Sequence, residues 1–165
     1  MAAPRRGKTG YSCYFITGST FQKQHILQSD RMAGLFVDVL LDYRQKQKYL
    51  LHEFVVMPDH FHLLITPGES LERAMQLIKG GFSFRAKREL GFVDEIWQPS
   101  FYDRRVRDAG EYLAFREYIR QNPRKRGLAT RVEQYRYSSA WPEFVVDEAP
   151  QRLKPGDSLL LESQR

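Results

Sequence analysis

Cysteine is almost absent from this chain of 165 residues, in which Cys13 is the only example. A single thiol excludes an intramolecular disulfide framework and a cysteine-rich zinc site, and it fits a reducing compartment. We therefore expect Cys13 to be a small core residue. Long hydrophobic runs are absent too: no stretch approaches about 18 apolar residues, and no apolar signal region follows the basic segment 1–10. The sequence predicts a soluble, cytoplasmic protein without a membrane partner.

Acidic residues are the minority among the charged ones. Twenty Asp and Glu stand against 26 Lys and Arg, which gives a net charge of +6 and a pI near 9.5. This balance favours a polyanionic partner, and nucleic acid before a membrane, although a mildly basic enzyme of any kind can share it. With 42% hydrophobic residues, the composition is typical of a globular protein rather than a disordered one.

The length suggests one domain with a substantial core. We predict a basic N-terminal tail over residues 1–10, a domain over residues 11–145 and a C-terminal tail over residues 146–165. In the last segment, charged residues, Pro and Gly surround a lone apolar patch, Leu159–Leu161. That composition indicates a tail that is mobile or docks back on the domain.

Apolar periodicity and turn signals predict the order strand, helix, strand, strand, helix, strand, helix. The strands are expected at Tyr11–Thr17, Tyr49–Met57, Phe61–Thr66 and Ile96–Tyr102, with a hairpin turn at Pro58-Asp59. The helices should begin at Ser29 or Asp30, at Ser70, and at a capping box of Asp108 and Glu111, and Pro123 should end the third. This order predicts an α+β fold, a ferredoxin-like antiparallel sheet of about four to five strands with helices packed on it.

Two histidines stand at the start of the third predicted strand, in the sequence His60-Phe61-His62. Residues i and i+2 of a strand project to the same face, so the two imidazoles should lie side by side. Their neighbours are apolar, and binding of a divalent metal is the leading explanation for two imidazoles on such a strand. Two ligands do not make a metal site, however, and the pair can equally line a solvent-facing strand.

The third predicted helix carries Tyr118 and Asn122 four residues apart, so they lie on one side of the helix. They border the stripe of Tyr112, Phe115 and Ile119 that we expect to be buried. Taken alone, each has an ordinary explanation: a half-buried tyrosine bonded to backbone, and a polar residue near a helix end. Less ordinary is the surrounding run of cations, which comprises Arg104, Arg105, Arg107, Arg120, Arg124, Lys125 and Arg126.

Three motifs, in order along the chain, carry a resemblance to a known family. They are Val56–Leu63 (VMPDHFHL), then Trp97-Gln98 with Phe101–Arg104 (FYDR), then Tyr118–Pro123 (YIRQNP) with Gly127-Leu128. Together they resemble the single-tyrosine HUH transposases, and within them most closely the REP-associated tyrosine transposases. The resemblance runs from about Tyr11 to Trp141 and implies the HUH endonuclease type of fold for residues 11–145. The H-x-H motif alone is weak, whereas its combination with Y-I-x-x-N-P is specific.

The resemblance implies roles for particular residues. His60 and His62 match the metal-binding histidines, Tyr118 matches the nucleophile, and Asn122 stands where relatives supply a third ligand. It implies a metal-dependent endonuclease and strand transferase that uses Mg²⁺ or Mn²⁺ and acts on single-stranded or hairpin DNA through a 5′-phosphotyrosine intermediate. The enzyme would be nucleoid-associated and either a monomer or a homodimer. We expect DNA contacts from Lys79, Arg85, Arg104, Arg105, Arg120, Arg124, Lys125 and Arg126. Many relatives carry small or apolar residues in place of Arg124 and Arg126, which affects how DNA is gripped rather than the chemistry.

Two other classes of function remain open on the residues themselves. A nucleic-acid-binding module without catalysis would use the same basic and aromatic residues. A metal-dependent hydrolase would use His60 and His62 to hold a metal that activates water, with Asp59 as the nearest carboxylate. The three hypotheses differ in one observable, since only a tyrosine nucleophile leaves a covalent protein–DNA adduct.

Overall fold

The computed structural model describes residues 12–151 and residue 153. Within them lie the strands β1 (Tyr14–Ser19), β2 (Tyr49–Met57), β3 (His60–Pro67) and β4 (Tyr102–Arg105), and the helices α1 (Asp30–Gln45), α2 (Leu71–Leu90) and α3 (Ala109–Lys125). Short 3-10 turns occupy Phe21–Lys23 and Val132–Gln134. The predicted N-terminal tail 1–10 and the Leu159–Leu161 patch lie outside the described residues. No helix in the described part is long and apolar enough to cross a bilayer.

The four strands form one antiparallel sheet in the order β2-β3-β1-β4. The elements follow the order βαββαβ, with α3 after β4, so this arrangement is ferredoxin-like, and the predicted α+β fold is confirmed. The hairpin between β2 and β3 turns at Pro58-Asp59, as predicted, so that Met57 pairs with His60. On its other side β3 pairs with β1, where Thr17 lies opposite His62.

The two faces of the sheet carry separate hydrophobic clusters. Helices α1 and α2 cover one face, around Ile16, Phe61 and Leu63. Helix α3 covers the other face, where Phe15 and Leu64 pack with its buried residues. Successive strand residues alternate between faces, so His60 and His62 share the α3 face with Leu64. Strand β3 therefore contributes to the larger core with one face and presents the histidines towards α3 with the other.

The fourth strand is not where the apolar pattern predicts it. We expect it at Ile96–Tyr102, but β4 spans Tyr102–Arg105, and Trp97 forms only an isolated bridge with Thr20. The Trp97 ring packs 5.5–5.7 Å, centroid to centroid, from three phenylalanine rings on the α1–α2 side of the sheet. The apolar residues of this segment therefore fill the core beyond the end of β1. Pro99, which has no N–H to donate, separates them from the strand.

The helix starts agree with the sequence, and one helix end does not. Ser29 and Ser70 cap α1 and α2 by accepting backbone N–H groups. Asp108 caps α3, but the Glu111 carboxylate accepts from the Arg107 N–H. The prediction that Pro123 ends α3 is wrong, since the helix continues to Lys125. A proline so close to a C-terminus removes one N–H donor, and the helix tolerates that loss within its final turn.

Helices α1 and α2 touch along a line that includes Gly81. A Cβ atom at this position would lie 2.7 Å from the Tyr43 hydroxyl of α1, closer than packing allows. Helix α2 runs through Gly80-Gly81 without a break. Glycine at this position therefore lets the two helices approach, at a cost of about 1 kcal/mol in helix propensity.

Later segments of the chain cover the outer edge of β2. Residues Tyr137 and Ser139 exchange backbone hydrogen bonds with Val56 and Phe54 at 2.8–2.9 Å. Further along, the Asp147 carboxylate accepts from the Leu51 N–H at 2.8 Å and pairs with Arg44 at 2.9 Å. The first residues of the predicted C-terminal tail 146–165 are thus packed on the domain, and the edge of β2 is closed to further strand pairing.

Candidate active site

His60 and His62 form the base of the candidate site. Both imidazoles are buried to 4% exposure, and their ring centroids lie 4.8 Å apart. They stand side by side at the N-terminal end of β3, as the i, i+2 spacing predicts. Helix α3 lies over this part of the sheet, so the pair faces a helix and not open solvent.

Each imidazole is oriented by a hydrogen bond through its Nδ1 atom. The Asp59 carboxylate lies 2.7 Å from His60 Nδ1, and the Thr17 hydroxyl lies 2.8 Å from His62 Nδ1. With Nδ1–H donating to these oxygens, each Nε2 keeps its lone pair. Metal-binding histidines are held in this way, by an oxygen that fixes the tautomer and the ring plane.

Burial keeps both imidazoles neutral. It lowers the pKa of His62 to about 3, and the neighbouring His60 adds to the effect. Burial also lowers the pKa of His60, although the hydrogen bond and charge of Asp59 act in the opposite direction. A neutral imidazole is the form that donates a lone pair to a metal, so both rings are ready to bind at neutral pH.

Two buried polar atoms, His62 Nε2 and Asn122 Oδ1, have no hydrogen-bond partner in the described part of the chain. Asn122 is itself buried and belongs to the last turns of α3. The large majority of buried side-chain polar atoms in proteins are hydrogen-bonded, so these two call for an explanation. A divalent cation bound by imidazole and amide oxygen would satisfy both. Among the described residues, no group of three or more His, Cys, Asp or Glu is placed so that it could hold a metal ion.

Tyr118 stands next to the histidines at the surface. Its side chain is 46% exposed, and its ring centroid lies 5.2 Å from that of His62. Beneath it, the rings of Phe115, Phe15 and His62 are stacked, with centroids 4.3 and 5.3 Å apart. This stack joins α3 to β1 and β3 and sets the height of Tyr118 above the sheet. The result is an accessible phenol beside the imidazole pair.

A buried carboxylate fixes α3 against β2. Glu53 accepts from Arg120 at 3.1 Å through both guanidinium donors, from Arg116 at 3.3 Å and from the Ser139 hydroxyl at 2.7 Å. Arg116 and Arg120 are four residues apart on α3, so they form one row along the helix. The network sets the rotation of α3, on which the placement of Tyr118 and Asn122 depends.

We expect Glu53→Gln to lower the free energy of unfolding by about 2–3 kcal/mol, because two guanidinium groups lose their buried counter-charge. Arg116→Ala should cost less, about 1 kcal/mol, since that side chain is 42% exposed. Urea denaturation at constant m measures both changes. Glu117→Gln, on the exposed side of the same helix, is the matched control and should change stability by less than about 0.5 kcal/mol. Equal stabilities for Glu53→Gln and the wild type would show that the network carries no net stabilisation.

The predicted DNA-binding cations divide between the two faces of the sheet. On the α3 side, Arg104 pairs with Glu111 and Arg120 with Glu53, whereas Arg124, Lys125 and Arg126 are exposed at the end of α3. Arg105 is exposed on β4. The structure does not bring Lys79 and Arg85 to the site. On α2, Lys79 donates to two backbone carbonyls of the loop before β4, and Arg85 pairs with Asp42 and Glu89.

Two residues near the imidazoles escape prediction from the sequence. Thr17, the hydroxyl partner of His62, is identified only by the register of β1 on β3. Lys23 lies close enough that its charge, with that of Arg126, contributes to the low pKa of both histidines, behind the larger effect of burial. Gln22 and Lys23 both have positive φ, 53° and 55°. Non-glycine residues seldom adopt this conformation, and it often marks a functional turn.

Comparison with known proteins identifies the class to which this fold and site belong. The family model described as "Transposase IS200 like" matches residues 12–122. The chain belongs to this family of transposases, and the resemblance carried by the sequence motifs is confirmed.

Named relatives agree. A Haemophilus influenzae protein provisionally named a REP-associated tyrosine transposase is 26% identical over 170 residues, covering 92% of each chain. The REP-associated tyrosine transposase of Escherichia coli is 24% identical over 138 residues, covering 78% of this chain and 81% of that one. A solved structure of a REP-associated tyrosine transposase bound to a REP hairpin has the same fold. Its TM-score is 0.67 at 20% identity, with 93% of this chain and 97% of that chain covered.

Proposed function

We propose that this transposase is a metal-dependent single-stranded DNA endonuclease and strand transferase that acts on hairpin DNA through a 5′-phosphotyrosine intermediate. One observation carries the proposal: His62, whose buried Nε2 has no partner among the described residues, lies beside the exposed phenol of Tyr118. Asn122, whose buried Oδ1 is also without a partner there, follows Tyr118 by one helical turn. An imidazole pair with an amide oxygen suits a divalent cation, and the phenol is an accessible nucleophile.

His60, His62 and Asn122 would hold the metal. When bound, Mg²⁺ or Mn²⁺ polarises a non-bridging phosphate oxygen, and the mixed nitrogen and oxygen donors are more typical of Mn²⁺. Asp59 and Thr17 keep the two rings aimed through their Nδ1 bonds. Because these donors and Tyr118 all come from one chain, we propose that a monomer is catalytically competent.

Tyr118 would perform the covalent step. Its phenolic oxygen attacks phosphorus, the bond from phosphorus to O3′ breaks, and a tyrosyl ester of the 5′-phosphate forms. The phenol loses its proton, and the leaving O3′ takes one to become a free 3′-OH. The ester retains the energy of the broken bond, so attack by a second 3′-OH can rejoin strands.

Single-stranded DNA with a folded hairpin is the proposed substrate. The net charge of +6 and the exposed cations at the end of α3 suit a phosphate backbone. A solved relative of the same fold is bound to a REP hairpin. Such a substrate would place the protein with the nucleoid in the cytoplasm.

A covalent-adduct assay tests the proposal. A labelled hairpin oligonucleotide with a single-stranded foot is incubated with the protein in Mg²⁺, in Mn²⁺ or in EDTA, and the products are separated under denaturing conditions. We expect a metal-dependent shifted band. Tight binding without an adduct across several hairpins would indicate a binding module, and cleavage without an adduct would indicate metal-activated water.

A further inference from the structure

Tyr102 is an exposed aromatic residue on the edge strand β4. Its side chain is 55% exposed, although β4 pairs with β1 on its inner side. Thr17 lies directly opposite Tyr102 on one side and opposite His62 on the other. Directly paired residues in antiparallel strands project to the same face. The Tyr102 side chain therefore stands in one row with His62, on the face that carries the candidate site.

The Tyr102 and Tyr118 rings flank the same buried ring. Phe15 contacts Tyr102 edge-to-face with centroids 6.5 Å apart, and it contacts Tyr118 in the same manner at 6.0 Å. The described residues include three strongly exposed large aromatic side chains, which are Phe84, Tyr102 and Tyr118. Two of these three are thus neighbours at the site, and Phe84 lies on α2 across the sheet.

The chemistry around Tyr102 indicates which ligand would cover its exposed ring. Tyr102 and Tyr118 flank the same Phe15 ring, so a strand whose phosphate reaches Tyr118 would have a neighbouring base within reach of Tyr102. Stacking on an aromatic ring suits every nucleobase, because each base has a π-face. A protein partner would favour a wider apolar patch, whereas the neighbours of Tyr102 on β4 are Asp103, Arg104 and Arg105, all exposed.

We propose that Tyr102 is a stacking platform for the nucleobase that flanks the phosphate attacked by Tyr118. The inference rests on the proposed function and adds a substrate-binding residue to it. A base held on Tyr102 fixes the adjoining backbone, and this places the scissile phosphate between the phenol and the imidazole pair. Since stacking does not read hydrogen-bonding edges, this contact should be tolerant of base identity.

Binding measurements without catalysis test the proposal. Fluorescence anisotropy of a labelled hairpin with a single-stranded foot is recorded in EDTA, with Tyr118→Phe as the background so that no strand is cut. We expect Tyr102→Ala to weaken binding about ten-fold or more. Tyr102→Phe should bind within about two-fold of the background, because stacking needs the ring and not the hydroxyl. The control Phe84→Ala removes an equally exposed ring from α2 and should have no effect.

Abasic nucleotides then locate the stacked base. Each nucleotide of the foot is replaced in turn, and one position next to the cleavage point should reproduce the loss caused by Tyr102→Ala. At that position the two changes should not add, because they remove the two halves of one contact. Full additivity at every position, or unchanged binding by Tyr102→Ala, would overturn the inference.

The outcome is separable from that of the proposed function. If the wild-type protein forms the adduct and Tyr102→Ala binds DNA normally, only the stacking proposal is overturned. If the wild-type protein never forms an adduct, the proposed phosphotyrosine mechanism is overturned, whatever the effect of Tyr102→Ala on binding. A thermal melt of Tyr102→Ala should match the wild type, since the side chain is largely exposed, and a large drop would assign it a structural role.

Discussion

We expect Tyr118→Phe to abolish the covalent adduct and to reduce strand cleavage by more than about 10³-fold. The substitution removes one oxygen atom, the proposed nucleophile, and leaves the ring that packs against His62 and Phe15. Stability and DNA affinity should therefore remain close to those of the wild type. Denaturing gels of labelled hairpin DNA measure adduct and cleavage, and anisotropy measures binding.

Tyr43→Phe is the matched control for that experiment. It removes a phenolic hydroxyl from α1, on the other face of the sheet, and should leave adduct formation unchanged. Full cleavage by Tyr118→Phe would mean that another group attacks phosphorus. In that case, attack by metal-activated water becomes the better explanation. Asp59, the nearest carboxylate, is hydrogen-bonded to His60.

Parts of the fold were predictable because they depend on short-range signals. A hairpin turn at Pro58-Asp59, the serine caps of α1 and α2, and the alternation that places His60 beside His62 each involve residues within a few positions of one another. The strand β4 carries no such signal. All four of its residues are exposed, so it lacks the apolar alternation of a half-buried strand. The apolar segment before it serves the core instead, through Trp97.

The candidate site was predictable in part. Spacing and resemblance select His60, His62, Tyr118 and Asn122, and the structure places the first three side by side. Asn122 is buried one turn after Tyr118 on α3, and the roles of all four stay predictions. The spacing of residues in the sequence does not reveal which side chains from distant parts of the chain pair with these residues. Arg120 is an example: its sequence context indicates a DNA contact, but the structure pairs it with Glu53, 67 positions away. Whether it also meets DNA stays a prediction.

The second large effect concerns the third proposed metal ligand. We expect Asn122→Leu to lose metal binding while the metal-free protein stays as stable as the wild type or gains up to about 1 kcal/mol. The reason is that Asn122 Oδ1 is buried without a partner, and such an atom costs about 1–3 kcal/mol in the metal-free state. Leucine has a similar shape and removes that cost, but it cannot donate a lone pair.

Thermal unfolding with and without Mn²⁺ separates these two effects. Wild-type protein should melt at a higher temperature in Mn²⁺, since a ligand at 100 times its Kd adds about 2.7 kcal/mol to the native state. Asn122→Leu should show a much smaller shift. Gln121→Leu, the adjacent substitution on α3, is the matched control and should keep the wild-type response.

Two results would contradict this account of Asn122. An undiminished Mn²⁺ shift in Asn122→Leu would mean that the metal binds without the amide, so that the imidazole pair alone, or another donor, defines the site. A metal-free variant destabilised by more than about 2 kcal/mol would mean that the amide supports the helix end itself. The prediction thus describes a residue whose substitution leaves the fold intact and removes the stabilisation by Mn²⁺, which is the behaviour expected of a buried polar atom whose partner is a bound metal ion.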